Sequence, residues 1–458
     1  MRRGKRGVFV SFLLLMAFFI VGGVVYLANS PIFERVPPKI VVPTSLFWNL
    51  KQPLKVNLSD SSGIRSYKVV LNDGKNNFTV LDEKVQNPKQ EVDILVQLPK
   101  AGWNRRTKSA TMTIIATDGS QWNFMKGNQN TKVVKMTIDP KRPKAFVLSN
   151  SYKIVKGGSA LVVFGAKDEY LDRVEVHTNF GKIFKPEPFY KEGYYITLIA
   201  WPLTQKRFRA WVEVTDFAGN KSKAHIPLYV KDYRYRQSKI NLKKRFLEGK
   251  ISDLSMEFDE TANESDSLKQ FKTINETIRK KNEDLIHSLS RNVSDALIRH
   301  WNIKPFYPLK NAKRVASFGD HRFYHYNGKL VSESYHLGLD LASIKMAKIK
   351  SSNPGRVVFS GYNGIYGNMP IIDHGLGLYT LYGHCSTLLV KEGDDITRGS
   401  VIAKTGKTGL ALGDHLHFGV IVQGVEVRPA EWMDAHWIQD NISSVMETAR
   451  KIINRREQ

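Results

Sequence analysis

The stretch HLGLDLA, residues 336–342, places His336, Gly338 and Asp340 on one parity and Leu337, Leu339 and Leu341 on the other, the alternation of a half-buried strand. A histidine and a carboxylate on the polar face of such a strand have two readings: a solvated face, or two ligands of one metal ion. On a straight strand the two side chains stand about 13 Å apart, too far to share an ion. The metal reading therefore requires the chain to bend between them, and Gly338 is the residue that permits a bend.

Two further segments carry compatible chemistry. In LYGHCS, His384 follows the strand-like run GLYTLY, and in GDHLHFGV, His415 and His417 sit two apart with Leu416 and Phe418 on the opposite parity. The two imidazoles of that H-x-H leave one strand face roughly 6.6 Å apart at their bases, so one can hold a metal while its neighbour addresses a bound water. Zinc accepts imidazole and carboxylate, and a catalytic site keeps three protein ligands with a fourth position open. Eight of the twelve histidines fall between His321 and His436, which concentrates this chemistry in one region of dense β-branched runs and glycines.

With SFGDHR before them, GRVVFSGYNGIYGNMPIIDHGLGLYTLYGHCS and VKEGDDITRGSVIAKTGKTG between them, and HLHFGV last, these motifs make the region 312–432 resemble the catalytic domain of the lysostaphin-type (LytM-like) zinc metallopeptidases. The resemblance implies a β-sheet domain with an open groove that cleaves the cross-linking peptides of peptidoglycan. It implies that His336, Asp340 and His417 are the ligands of Zn2+ and that His384 and His415 are the catalytic pair, without settling which acts as base. Cys385 stands where a leucine is commoner and reads as a small buried side chain; His321 and His325 either line the groove or lie on the surface. His374 reads as a turn histidine and His436 as structural.

The rest of the chain bounds where such a domain works. MRRGKR precedes the uncharged run of residues 7–28, about long enough to cross a bilayer, with the basic flank on the cytoplasmic side. No A-x-A site follows, so an uncleaved signal anchor over residues 1–30 is expected. The expected location is the inner membrane, single-pass, with the catalytic domain periplasmic. A net charge of +26 attracts polyanions; outside the cytoplasm these are anionic lipid or cell wall, not nucleic acid. Cys385 is the only cysteine, so no disulfide within the chain braces the fold.

Residues 38–232 read as short β runs separated by Gly, Pro, Asn and Asp. LSDSSGIRSYKVVL is echoed by AKDEYLDRVEVH 108 residues on, and TIIATDGSQWN by VEVTDFAGNKS 98 residues on, which predicts tandem β-sandwich domains at 38–140 and 141–232; with their D-x-x-G-N turn these resemble the immunoglobulin-like modules of exported bacterial proteins. Leu268, Phe271, Ile274, Ile278, Leu285, Leu289 and Val293 at helical spacing predict a helical connector over 233–304. The peptidase domain is expected at 305–434, folding and binding zinc without the upstream modules. Ile438, Ile442, Val445, Ala449 and Ile452 predict an amphipathic C-terminal helix over 435–458.

The fold class expected is mainly β, and the function a membrane-anchored zinc metalloendopeptidase acting on D-Ala to meso-diaminopimelate cross-links, with cell-wall or division proteins as further partners. The alternative is a non-catalytic regulator or scaffold that binds a cell-wall amidase or divisome partner; the complete five-residue set argues against it.

Overall fold

The computed structural model describes residues 4–456. The chain is mainly β and divides into two compact units: one runs to Arg142 and includes Thr215–Lys221, the other comprises Pro143–Val214 and the chain from Ser222 onward.

The first unit begins with the helix Gly4–Asn29, whose segment Phe9–Leu27 is long and apolar enough to cross a membrane. Ser30 then caps the short turn Pro31–Phe33, its Oγ accepting the Ile32 N–H. Beyond it lies one six-stranded sheet in which Leu54–Asn72 and Asn77–Val96 form a long hairpin, followed across the sheet by Ser109–Asp118 and Gln129–Ile138. Met112, Ile114, Val134 and Met136 are buried at alternate positions, as a half-buried strand requires. The second β segment is organised differently, as two four-stranded sheets carried by Ser159–Lys167 with Tyr194–Ala200, and by Leu171–Thr178 with Ala210–Asp216. The sequence echo survives as a local device: Asp118 accepts the Ser120 and Asn128 backbone N–H groups, and Asp216 accepts that of Asn220.

The C-terminal domain is built on an antiparallel sheet of strands Lys313–Ala316, Leu339–Ala342, Leu416–Val422, Leu378–Gly383, Asn368–Asp373 and Gly355–Tyr362, in that spatial order, with Asp395–Ile396 at the far edge. Both faces are covered. Leu416, Phe418, Val420 and Tyr382 face a core continuous with Val162, Phe164 and Leu198 of the second β segment. Tyr379, Leu381 and Ile421 face the other way, onto Leu247, Ile251, Phe271, Ile274 and Ile278.

The segment expected as a helical connector is thus part of the domain. Gln237–Asn241 pairs in parallel with His321–Tyr326, and the helices from Lys244 to Leu289 lie on the sheet face. The second β segment is equally joined to it. Ser159 N–H donates to Glu431 Oε2 at 3.1 Å, Trp432 Nε1–H to Ser159 Oγ at 3.1 Å, and Gln423 Nε2–H to Thr197 Oγ1 at 3.1 Å. The C-terminal helix Ser444–Arg456 buries Val445, Met446, Ala449 and Ile453 in that same core.

This packing weighs against the expectation that residues 305 onward fold alone. Such a fragment strips Leu247, Ile251, Leu254, Phe271, Ile274, Ile278 and Ile286, all buried, from their partners. At about 1.5–3 kcal/mol per buried apolar side chain, the loss rivals the roughly 5–15 kcal/mol that holds a domain folded. The fragment 305–458 is expected to aggregate or to lack a cooperative unfolding transition by circular dichroism; a sharp two-state melt of that fragment alone would show the helices to be dispensable.

Candidate active site

HLGLDLA is not one strand. Lys329–Tyr335 ends just before it and Leu339–Ala342 begins inside it, with His336 and Leu337 outside regular structure and a bend at Gly338. The break was required, but the reason for glycine lies in packing. A Cβ at Gly338 would stand 2.4 Å from His417 Nε2 and 2.9 Å from the Phe418 carbonyl oxygen, so only glycine lets the His417 ring lie against the backbone here.

Register brings the three motifs together. Asp340 pairs directly with His417 across one strand boundary, and Gly383 pairs with His417 across the next. Directly opposed residues project from the same face, so Asp340 and His417 meet although 77 residues apart. His336 is held by its backbone, its N–H donating to the Asp320 carbonyl at 3.0 Å and its own carbonyl accepting the Gly319 N–H at 2.7 Å. Its ring is oriented by the Ser317 carbonyl, 2.9 Å from Nδ1. A carbonyl only accepts, so Nδ1 carries the proton and Nε2 is left to turn inward.

The inward atoms form a tight triangle: His336 Nε2 to Asp340 Oδ1 is 3.0 Å, His417 Nδ1 to Asp340 Oδ1 is 2.9 Å, and His336 Nε2 to His417 Nδ1 is 3.1 Å. All three residues are buried. Burial opposes ionisation of Asp340, but hydrogen bonding to His336 and His417 outweighs it and holds the carboxyl well below its usual range. Burial pulls His417 down to about 4 despite its hydrogen bond to Asp340. The inward-facing atoms are thus one carboxylate oxygen and two ring nitrogens, a donor set that a cation at its centre would satisfy. Tetrahedral zinc with bonds of about 2.0–2.1 Å sets its ligand atoms about 3.3 Å apart, close to the spacing present. Among the described residues this is the one candidate metal cluster containing histidine.

His384 and His415 flank the triangle. His384 leaves its strand at φ 63°, its N–H donates to the Tyr366 carbonyl at 2.8 Å, and its Nδ1–H donates to the Thr408 carbonyl at 2.8 Å. Its ring centroid lies 4.8 Å from that of His415 and 5.9 Å from that of His417. His415 Nδ1–H donates to the Gly413 carbonyl at 2.8 Å, and its Nε2 stands 3.7 Å from Asp340 Oδ2. Both rings thus have Nδ1 occupied by a carbonyl and Nε2 free to accept a proton. Burial first, then the neighbouring His417 and His415, push His384 down to about 3, so it rests neutral.

The site opens into a cleft of about 1310 Å³. One wall comes from Arg236 to Lys250, a part of the chain in which the sequence had disclosed no chemistry; Arg236, Lys239, Lys243, Arg245 and Lys250 line it, Arg322 stands on the strand paired with it, and Arg314 also lines the cleft. Asp320, Arg322 and Tyr324 share the parity that faces the cleft, which leaves His321 outside it, stacked on Tyr335 and 3.0 Å from Glu333. His325 is also outside, beside the Phe323 carbonyl. Cys385 is fully buried, its thiol pushed up to about 12 by burial. His374 is a buried strut between the Pro354 carbonyl and Thr380 Oγ1, and His436 is exposed in the first turn of a helix. Ser317 and Thr408, which orient His336 and His384, act through backbone carbonyls and have no signature in a sequence.

A buried two-histidine, one-carboxylate triangle at the mouth of a groove, with two further imidazoles beside it, is an arrangement that metal-dependent hydrolases use. Residues 334–429 match Peptidase family M23, and the chain carries a peptidase M23 domain of the LytM/lysostaphin type. Over 151 residues it is 34% identical to the peptidoglycan DD-endopeptidase ShyA of Vibrio cholerae, covering 33% of this chain and 34% of that protein. It is 36% identical over 104 residues to the murein hydrolase activator NlpD of Salmonella dublin, covering 22% of this chain and 27% of that one. The catalytic domain of lysostaphin from Staphylococcus simulans aligns at 25% identity with a TM-score of 0.23, over 27% of this chain and 92% of that chain. The chain thus spans about a third or less of the length of these curated relatives.

Proposed function

We propose that the protein is a membrane-anchored zinc endopeptidase that hydrolyses peptide cross-links of peptidoglycan on the periplasmic side of the inner membrane. The observation that carries this reading is the triangle itself: His336 Nε2, Asp340 Oδ1 and His417 Nδ1 converge within 3.1 Å of one another, beside two imidazoles whose Nε2 atoms are free. His336, Asp340 and His417 would hold the ion, which when bound acidifies a water and polarises the scissile carbonyl. His384 and His415 then accept the water's proton at Nε2, steady the oxyanion as it forms, and return a proton to the leaving amine. The carbonyls of Thr408 and Gly413 hold both rings in the tautomer this needs. The NlpD likeness makes a regulatory role the competing reading; the complete set of five residues speaks against it. Zinc content of the purified protein, measured with release of cleaved cross-links from sacculi, tests the proposal; zinc-free, inactive protein would leave the regulator.

The basic wall favours a D-Ala to meso-diaminopimelate cross-link, whose stem peptides bear free carboxylates, over a neutral glycine bridge. Arg236, Lys239, Lys243, Arg245 and Arg314 line the cleft without an acidic partner among the described residues. On soluble cross-linked muropeptides, Arg236→Glu combined with Arg245→Glu is expected to raise KM by about tenfold or more with kcat little changed. Raising salt from about 50 mM to about 500 mM should move wild type the same way. An unchanged KM in both experiments removes the wall from substrate binding. The first β module serves as a spacer, while the second braces the peptidase sheet with which it shares a core.

A further inference from the structure

We propose that the loop Trp122–Met125 is a membrane-interface contact that seats the first unit on the bilayer entered by its own N-terminal helix. The loop exposes apolar side chains at its tip: Phe124 is 94% exposed, Met125 72% and Trp122 38%. Three successive residues with side chains, Asn123, Phe124 and Met125, hold φ of 56°, 55° and 66°. That left-handed run is a costly backbone for L-residues, and it turns Phe124 and Met125 outward instead of letting them fold back onto the sheet. The conformation is braced from within. Arg65 donates to the Met125 and Lys126 carbonyls, and Gly127, at φ 80°, sits where a Cβ would meet the Asp118 carbonyl oxygen at 2.7 Å.

The tether decides what covers this tip. Gln121 N–H donates to the Ile32 carbonyl at 2.8 Å, Ser120 Oγ–H to the Glu34 carbonyl at 2.7 Å, and Asn128 Nδ2–H to the Glu34 carbonyl at 2.8 Å. Ile32 lies only five residues beyond Leu27, the end of the apolar segment, so at most about 18 Å of fully extended chain separates them. Ser30 N–H still bonds to the Tyr26 carbonyl at 2.8 Å, which shortens the path further. The loop therefore stands within reach of the headgroup layer. Tyr26 in the last turn of the helix, with Trp122 and its Arg35 cation 4.2 Å above the ring, is the residue chemistry of a lipid–water boundary.

This inference rests on the reading of Gly4–Asn29 as an anchor, and the test separates the two. The full chain is reconstituted in phosphatidylethanolamine and phosphatidylglycerol vesicles with a nitroxide at Phe124→Cys; Cys385 is buried and stays unlabelled. A second label at Lys75→Cys, in the exposed turn at the opposite end of the sheet, reports water. Expected is a label at 124 that is more accessible to oxygen than to a water-soluble nickel chelate, and the reverse at 75. As a check on perturbation by the label, brominated lipid should quench wild-type fluorescence more than that of Trp122→Phe. Vesicle-bound protein with equal nickel access at both positions and equal quenching overturns the loop contact alone. Protein that floats free of vesicles overturns the anchor and the contact together.

Discussion

His417→Ala is expected to lose bound zinc and activity together, whereas His415→Ala and His384→Ala keep the metal and lose turnover. The two histidines of HLH are chemically identical, and the strand between them separates their work. His417 Nδ1 lies 2.9 Å from Asp340 Oδ1 inside the triangle, while His415 Nε2 stands 3.7 Å from Asp340 Oδ2 at its rim. Removing His417 leaves two ligands, too few to hold the ion well. Removing a positioned acid–base group costs typically about 10²- to 10⁴-fold in rate. Elemental analysis of each purified variant, paired with sacculus digestion, separates the cases. If His415→Ala loses its zinc while His417→Ala retains it, the two roles are exchanged; if all variants keep metal and activity, the metal is held elsewhere and the triangle is a buried structural cluster.

Gly338→Ala should be nearly as damaging although it removes no functional group. The added methyl would lie 2.4 Å from His417 Nε2, and the ring it meets is fixed on both sides, edge-on to Tyr366 at 5.4 Å and to His336 at 5.0 Å. His417 must swing away from Asp340, and misplacing a ligand by about 1 Å can cost on the order of 100-fold in activity. Zinc affinity should fall by about 10- to 100-fold, and the metal-free protein should melt at a lower temperature by the roughly 1–3 kcal/mol of overpacking, because the methyl also meets the Phe418 carbonyl oxygen at 2.9 Å. Wild-type metal affinity in Gly338→Ala would mean that the backbone, not the ring, gives way.

The helices show where reading by periodicity stops. Phe271, Ile274 and Ile278 are buried as their spacing predicts, but Ile286 rather than Leu285 continues the buried face. At the C-terminus Ile438, Ile442, Val445 and Ala449 are buried as predicted, and Ile453 takes the place of Ile452. Residues three or four, and seven or eight, apart share one helix face, so spacing alone leaves the choice between Leu285 and Ile286, and between Ile452 and Ile453, to the surface each helix packs against.

The residue types of the site, their placement at or near strand ends and the need for a break at Gly338 are local properties, carried by side-chain chemistry and period-2 alternation, and the sequence alone determined them. Which strands lie side by side is not local. Pairing Asp340 with His417 and His417 with Gly383 joins segments far apart in the chain, and only the closed sheet makes a triangle of them. The protons on the imidazoles were likewise decided in three dimensions, because the Ser317, Thr408 and Gly413 carbonyls that accept them belong to every residue type alike. The cover on the sheet follows the same logic: a strand buried on both faces states that something must lie on each, but only tertiary packing names the helices from Lys244 to Leu289 on one side and the second β segment on the other.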